Sequence, residues 1–250
     1  MKILILDIET APLLGHVWYP WGDNVNPNQL VHDSFMLTWA AKWYGESEIL
    51  TDQITPAEAK KQDDKRIAKS LGKLIEEADA LVAHNLDKFD LPKINTRILF
   101  HGLEPLPPVT QIDTLKLAKK AFKVTYNRLD YLGEFLGVGE KLSVDFQLWR
   151  DAYMGSQDAI DEMRAYNAQD VVLLERVFLR LLPYVRSMQR LVDPVEEEDH
   201  ACPTCGGRRL VRRGYYRTKV SNFVRYQCKE CKRYSRARRS ERAKLSVTPL

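Results

Sequence analysis

At 250 residues and 44% hydrophobic content, the chain suits one large domain, or a medium domain plus a small one, with a real core. No apolar run approaches the ~20 residues of a membrane helix. Lys2 followed by four aliphatics is too short for a signal peptide, so a cytoplasmic protein without membrane contact is expected. The net charge of +4 conceals an asymmetry: residues 201–250 hold 15 Lys and Arg against 2 Asp and Glu, which leaves residues 1–200 at −9. An acidic body with a basic end is the pattern of a module that holds nucleic acid. All four cysteines lie in the basic end, in two pairs, so the body has no disulfide framework.

Residues 3–6 form an unbroken aliphatic run, the mark of a strand buried on both faces. Residues 11–33, with Trp18, Tyr19, Trp21 and several Gly, Pro and Asn, have no period and read as a long loop. Residues 35–44 and 46–51 read as strands turning at Gly45, and antiparallel pairing after the first strand is expected. Residues 57–77 read as one helix, with Ile67, Leu71, Leu74 and Ile75 at helical spacing. A short buried strand at 80–83 follows, and then a helix from near Leu91 to His101, with Asp90 as a candidate cap. A strand at 109–112 leads to a helix at 114–122 capped by Asp113, further helices at 128–136 and 145–154, and a long last helix at 156–184. Strands first, then strands alternating with helices, predict an α/β domain with a mixed sheet flanked by helices. The acidic segment 191–200 reads as a linker between a body of residues 1–190 and the cysteine-bearing end.

Several acids stand where packing alone would place apolar residues. Asp7 and Glu9 continue the first strand at spacing two, so they project from the same face. Side by side they are costly unless a cation lies between them; the alternative is that the strand ends and the acids are solvated. Asp170 falls in the apolar stripe of the last helix (Met163, Tyr166, Leu173 or Leu174, Val177, Leu181), with Tyr166 one turn earlier on the same face. Its alternative is the stripe's edge, meeting water or an arginine. Asp90 follows a buried strand end, where open α/β sheets bind ligands, or else it only caps the next helix; Asp87 is a competitor. His84 and Asn85 suit tying the backbone at that strand end, and His16, His32 and His101 read as surface or satisfied histidines.

The ordered set Asp7-x-Glu9, Asn85-x-x-x-Phe89-Asp90 and Tyr166-x-x-x-Asp170 resembles the three motifs of the DEDD superfamily of 3′–5′ exonucleases, in its tyrosine branch. The spacing from Asn85 to Phe89 is most similar to that of family B DNA polymerase proofreading domains. With no room for a polymerase, the chain resembles their stand-alone, phage-type relatives. The resemblance covers residues 1–185 or so and implies a ribonuclease H-like fold and phosphodiester hydrolysis to nucleoside 5′-monophosphates. It implies two Mg²⁺ or Mn²⁺ ions. Asp7, Glu9 and Asp170 would hold the catalytic one; Asp7 would also bridge to the second, which Asp90 would bind. Tyr166 would orient the attacking water. Four carboxylates can hold two such ions ~3.5–4 Å apart. Single-stranded DNA is the substrate expected, with an exoribonuclease or short-oligonucleotide nuclease as the alternative, and a replication or recombination protein is a candidate partner. A non-catalytic nucleic-acid-binding or recruitment protein is the rival from another class. Asn85 and Phe89 are candidate nucleic-acid contacts by the same resemblance. Trp18 and Tyr19 could stack on terminal bases or pack the loop onto the body.

Cys202-Pro-Thr-Cys205-Gly206 and Cys228-Lys-Glu-Cys231, separated by 22 residues, form the paired CxxC pattern of a tetrahedral Zn²⁺ site and resemble the knuckles of a zinc ribbon. A piece this small could not hold itself together by core burial alone. The ribbon is placed at 201–236 and a basic tail at 237–250. Arg208, Arg209, Arg212, Arg213, Arg217, Arg225 and Arg233, interleaved with Tyr215 and Tyr216, suit a single strand through phosphate contacts and base stacking. No code for base-specific readout is visible.

Overall fold

In the computed structural model, which describes residues 2–18, 25–140, 142, 144–184, 201–218 and 221–241, the first strand is the centre of the body. β1 (Ile3–Thr10) pairs antiparallel with β4 (Met36–Trp43) on one side and parallel with β6 (Ala80–Ala83) on the other. β5 (Leu50–Gln53) extends the antiparallel edge and β7 (Thr110–Asp113) the parallel one, giving the order β5-β4-β1-β6-β7. Ile3, Leu4, Ile5 and Leu6 are buried on both faces, as their unbroken aliphatic run requires.

The helices follow the sheet: α1 (Pro56–Lys61), α2 (Lys65–Glu76), α3 (Asp90–Phe100), α4 (Thr114–Ala121), α5 (Leu129–Phe135), α6 (Phe146–Tyr153) and α7 (Gln157–Leu181). α2 buries Ile67, Leu71 and Ile75 in the core, each contributing ~1.5–3 kcal/mol of transfer free energy. Between β1 and β4, β2 (Leu14–Gly15) and β3 (Leu30–His32) form a small antiparallel pair where an aperiodic loop is expected. Asp113 accepts from the Lys116 N–H (3.1 Å) and caps α4.

The single helix predicted over 57–77 is two helices. Gln62 takes a left-handed conformation (φ 55°) and ends α1, and the chain re-enters a helix after Asp64. The Asp64 carboxylate accounts for the break. Fully buried, it accepts from Arg97 Nε and Nη2 (both 2.7 Å), from His101 Nε2 (2.5 Å) and from the Met36 backbone N–H (2.7 Å). One carboxylate thus joins the start of α2, the start of β4 and the last turn and C-cap of α3. Asp90 is the first residue of α3, whose N-cap is Phe89, and neither of its buried carboxylate oxygens makes a hydrogen bond of good geometry. The candidate cap is therefore a buried acid.

The chain forms two compact units, Lys2–Val177 and Phe178–Leu250, so the division falls inside α7; the linker expected at 191–200 lies outside the described residues. In the second unit β8 (Leu210–Arg217), β9 (Asn222–Cys228) and β10 (Tyr234–Arg236) make an antiparallel sheet in the order β10-β9-β8. A bulge between Arg212 and Tyr215 is accommodated at Gly214 (φ 75°). Residues 237–241 of the expected basic tail are described and the rest of that tail is not.

Removing the cation from the Asp64 node should be strongly destabilising. Arg97→Met leaves a buried carboxylate without its guanidinium and is expected to cost about 3–5 kcal/mol. Urea denaturation checks it, and a loss below ~1 kcal/mol would show that Asp64 is solvated in solution.

Candidate active site

β1 delivers Asp7 and Glu9 to one face of the sheet, and α7 delivers Asp170 to the same place. Carboxylate oxygens of the three lie within 4.8 Å of one another. At an effective dielectric of ~20, two ionised carboxylates at this separation repel by about 3–4 kcal/mol. Asp170 is buried in the apolar stripe of α7 between Met163 and Leu174, the position inferred from the helical period. Tyr166 is buried one turn before it.

Asp90 joins this cluster electrostatically. Burial, and then the charges of Glu9 and Asp113, push its carboxyl up to about 7, against the moderating backbone N–H groups of Asp90 and Ile8. Neither Asp90 oxygen makes a hydrogen bond of good geometry. A buried acid that resists ionisation beside an acidic triad is the electrostatic condition that a bound cation relieves. The donor set is all oxygen. The nearby imidazole of His84 is directed elsewhere, with Nε2 donating to the Asn127 carbonyl (2.8 Å) and Nδ1 at 2.9 Å from Thr114 Oγ1. Hard divalent cations fit such a site.

Two residues that hold the acids carry no signal in the motifs. Asn167, fully buried, donates from Nδ2 to Asp7 Oδ2 (2.6 Å). Trp149, on α6, donates from Nε1 to Glu9 Oε2 (3.3 Å) and packs its edge against Tyr166, with ring centroids 5.9 Å apart at 79°. Asn167 was visible in principle, because positions 163, 166, 167, 170, 171 and 174 make one continuous buried face. Trp149 was not, since its role depends on where α6 lands.

A cleft of about 870 Å³ opens at Asp7. Asp7, Asn85, Trp149 and Tyr166 line it, with Lys119 and the Arg128–Asp130 ion pair. Asn85, in the left-handed region (φ 77°), is held by its own N–H donating to Asp113 Oδ1 (3.1 Å). Phe89 is partly buried and packs against the core. Trp18 is 88% exposed, and Tyr19 lies outside the described residues.

In the second unit the four cysteine sulfurs also lie within 4.8 Å of one another, with Cys202–Cys231 at 3.6 Å and Cys205–Cys228 at 3.7 Å. A regular tetrahedron with metal–sulfur bonds of ~2.3 Å has edges of about 3.8 Å, so these spacings fit a four-thiolate metal site. They are far longer than a disulfide bond of ~2.05 Å. Of the arginines expected to contact nucleic acid, Arg233 is buried, whereas Arg208, Arg209, Arg212, Arg213, Arg217 and Arg225 are exposed.

Residues 33–182 match the family model described as the RNase H superfamily. The matched span holds Asp90, Tyr166 and Asp170; Asp7 and Glu9 precede it and reach the cluster through the pairing of β1 with β4 and β6. Among solved structures, the chain is similar to the family B DNA polymerase from the hyperthermophilic archaeon Pyrobaculum calidifontis, at 17% identity and a TM-score of 0.53. That match covers 73% of this chain and 24% of the polymerase, and it concerns the fold alone. No curated protein sequence matches the chain. No helix among the described residues is long and apolar enough to cross a membrane.

Asn167 should matter through Asp7. Asn167→Ala is expected to weaken Mn²⁺ binding about 10- to 100-fold while the thermal midpoint in chelator stays within a few degrees. Calorimetric Mn²⁺ titration measures this directly, and unchanged affinity would remove Asn167 from the site.

Proposed function

Because this chain belongs to the RNase H superfamily, we propose that it is a two-metal-dependent 3′–5′ exonuclease that degrades single-stranded DNA to nucleoside 5′-monophosphates. The observation that carries the reading is the convergence of Asp7, Glu9 and Asp170, with Tyr166 one turn from Asp170 beside a cleft bearing Lys119 and Arg128. A nuclease acting on nucleic acid follows from the family. The polarity, the tyrosine-branch chemistry and the preference for DNA rest on the motif likeness to polymerase proofreading domains.

Asp7, Glu9, Asp90 and Asp170 would hold the cations, Mg²⁺ or Mn²⁺, which would supply Lewis-acid polarisation of the scissile phosphodiester and a lowered pKa for water. The remaining work belongs to the chain. Asn167 and Trp149 fix Asp7 and Glu9 by hydrogen bonds, so the donors are oriented before substrate arrives. Tyr166 offers a phenolic hydroxyl, which can hold a water in line with the phosphorus without ionising. Lys119 draws the phosphate backbone into a cleft whose floor, acidic by itself, repels it, while Arg128 is paired with Asp130 of the same wall. Activity is therefore strictly cation-dependent. The second unit, a zinc ribbon with Zn²⁺ on Cys202, Cys205, Cys228 and Cys231, binds the strand.

The test uses 3′- and 5′-labelled DNA and RNA oligonucleotides of matched sequence, with Mg²⁺, Mn²⁺ or chelator. Wild type should release mononucleotides from the 3′ end of DNA. Asp7→Asn and Asp170→Asn should lose detectable turnover, and Tyr166→Phe should lose about 10²-fold, with folding retained. Full activity in both carboxylate variants would sink the site, and faster cleavage of RNA would reassign the substrate. Elemental analysis of the desalted protein should give one zinc per chain; a value near zero with titratable thiols would refute the ribbon's metal.

A further inference from the structure

The sheet of the second unit has two unlike faces. Strand alternation puts Phe223 and Arg225 of β9 on one face, and the register adds Tyr216 and Arg213 from β8 and Tyr234 and Arg236 from β10. The contacts confirm the grouping. The Arg236 guanidinium lies over Phe223 (4.1 Å to the ring centroid) and near Tyr216 (5.6 Å), and Arg225 lies over Tyr234 (5.6 Å). Tyr216 is 49% and Tyr234 54% exposed. The opposite face carries buried Val224 and Cys228, together with Arg212 and Tyr215.

Charge separates the faces further. Residues 201–250 contain two acids, Glu230 and Glu241. Glu230 pairs with Arg209, and Glu241 takes Arg212 (3.3 Å) and the Tyr215 hydroxyl (2.8 Å). Among the described residues, then, the face of Tyr216, Phe223 and Tyr234 has three arginines and no carboxylate. Instead Arg225 Nε donates to the Arg213 carbonyl (2.9 Å), which fixes that guanidinium without neutralising it.

We propose that this face, and not the basic ribbon as a whole, is a platform for single-stranded nucleic acid. Bases stack on Tyr216, Tyr234 and the Arg236–Phe223 pair, and phosphates lie against Arg213 and Arg225. Three arginines without acids match a polyanion, and alternating rings and guanidinium planes match unpaired bases, whose faces a duplex would hide. Arg212 and Tyr215 are excluded by their bonds to Glu241. The proposal rests on the reading that the chain acts on nucleic acid and adds where, and in what form, the strand is held.

The experiment is fluorescence anisotropy of the full-length protein with labelled oligothymidylate of about 20 nucleotides, without Mg²⁺ or Mn²⁺, across a salt series. Tyr216→Ala and Tyr234→Ala should each weaken binding roughly 5- to 150-fold. The Phe variants at the same positions should bind as wild type, because stacking needs the ring and not the hydroxyl. Arg213→Gln with Arg225→Gln should flatten the log–log salt slope by about 1.4, at ~0.7 for each lost contact with a single strand. Zinc content and circular dichroism report whether the Ala variants keep the ribbon, and the Phe and Gln variants carry the test if they do not. Equal weakening by Arg212→Gln would overturn the assignment to one face, and equal competition by duplex would overturn the single-strand assignment. Cleavage of the same oligonucleotide with Mn²⁺ is followed separately. Wild-type cleavage with unchanged binding in every variant overturns the platform alone, whereas the expected binding losses without wild-type cleavage overturn the nuclease reading alone.

Discussion

The repulsion among Asp7, Glu9 and Asp170 is the constraint to which the body is built. Left to themselves, three carboxylates within 4.8 Å would separate, so their closeness is imposed by the packing of β1 and α7. β1 is hydrogen-bonded on both edges and buried from Ile3 to Leu6, so it resists displacement. α7 is anchored through Met163, Val171 and Leu174. Asp90 adds a fourth acid from α3, whose other end is bound at Asp64 by Arg97 and His101. The carboxylates are preorganised by hydrophobic burial and one buried ion pair, and Asn167 and Trp149 then set their orientation.

How legible this was in the sequence depended on the range of the interaction. Asp7, Glu9 and Asp170 could be found because each is charged where the local period demands an apolar residue, and period is a local property. The break between α1 and α2 could not be found, because its cause is Asp64 meeting Arg97, 33 positions away. Asp90 could be read either as a fourth acid or as a cap, because a helix does begin there; its burial beside Glu9 and Asp113 depends on contacts that local sequence does not carry. The elements from β6 through α7 were legible almost to their ends, since each carries its own apolar pattern and punctuation. The small β2–β3 pair was not, since two- and three-residue strands carry no measurable alternation.

The ribbon shows another limit. Its cysteine spacing announced the metal geometry, and the sulfur separations of 3.6 and 3.7 Å agree with it. Its two faces were hidden, because the bulge at Arg213 and Gly214 shifts the alternation of β8. Tyr215 and Tyr216 are neighbours in sequence, yet they serve different surfaces, one tied to Glu241 and one stacked with Arg236. A basic tract that reads as uniform is thus divided by register into a neutralised side and a charged one.

The placement of Tyr166, Asn167 and Asp170 on adjoining positions of one helical face bears on how this chain can change over evolutionary time. Each residue of an α-helix advances the face by about 100°. Ala168 and Gln169, partly or fully exposed, can be exchanged freely, but inserting or deleting a single residue between 166 and 170 would swing Asp170 out of the cluster while Tyr166 stayed in it. The segment between β1 and β4 has no such clock, and its length can drift without moving an acid. Descendants of this sequence should therefore differ in length before β4 and around the short helices, while α7 keeps its count from the tyrosine to the aspartate.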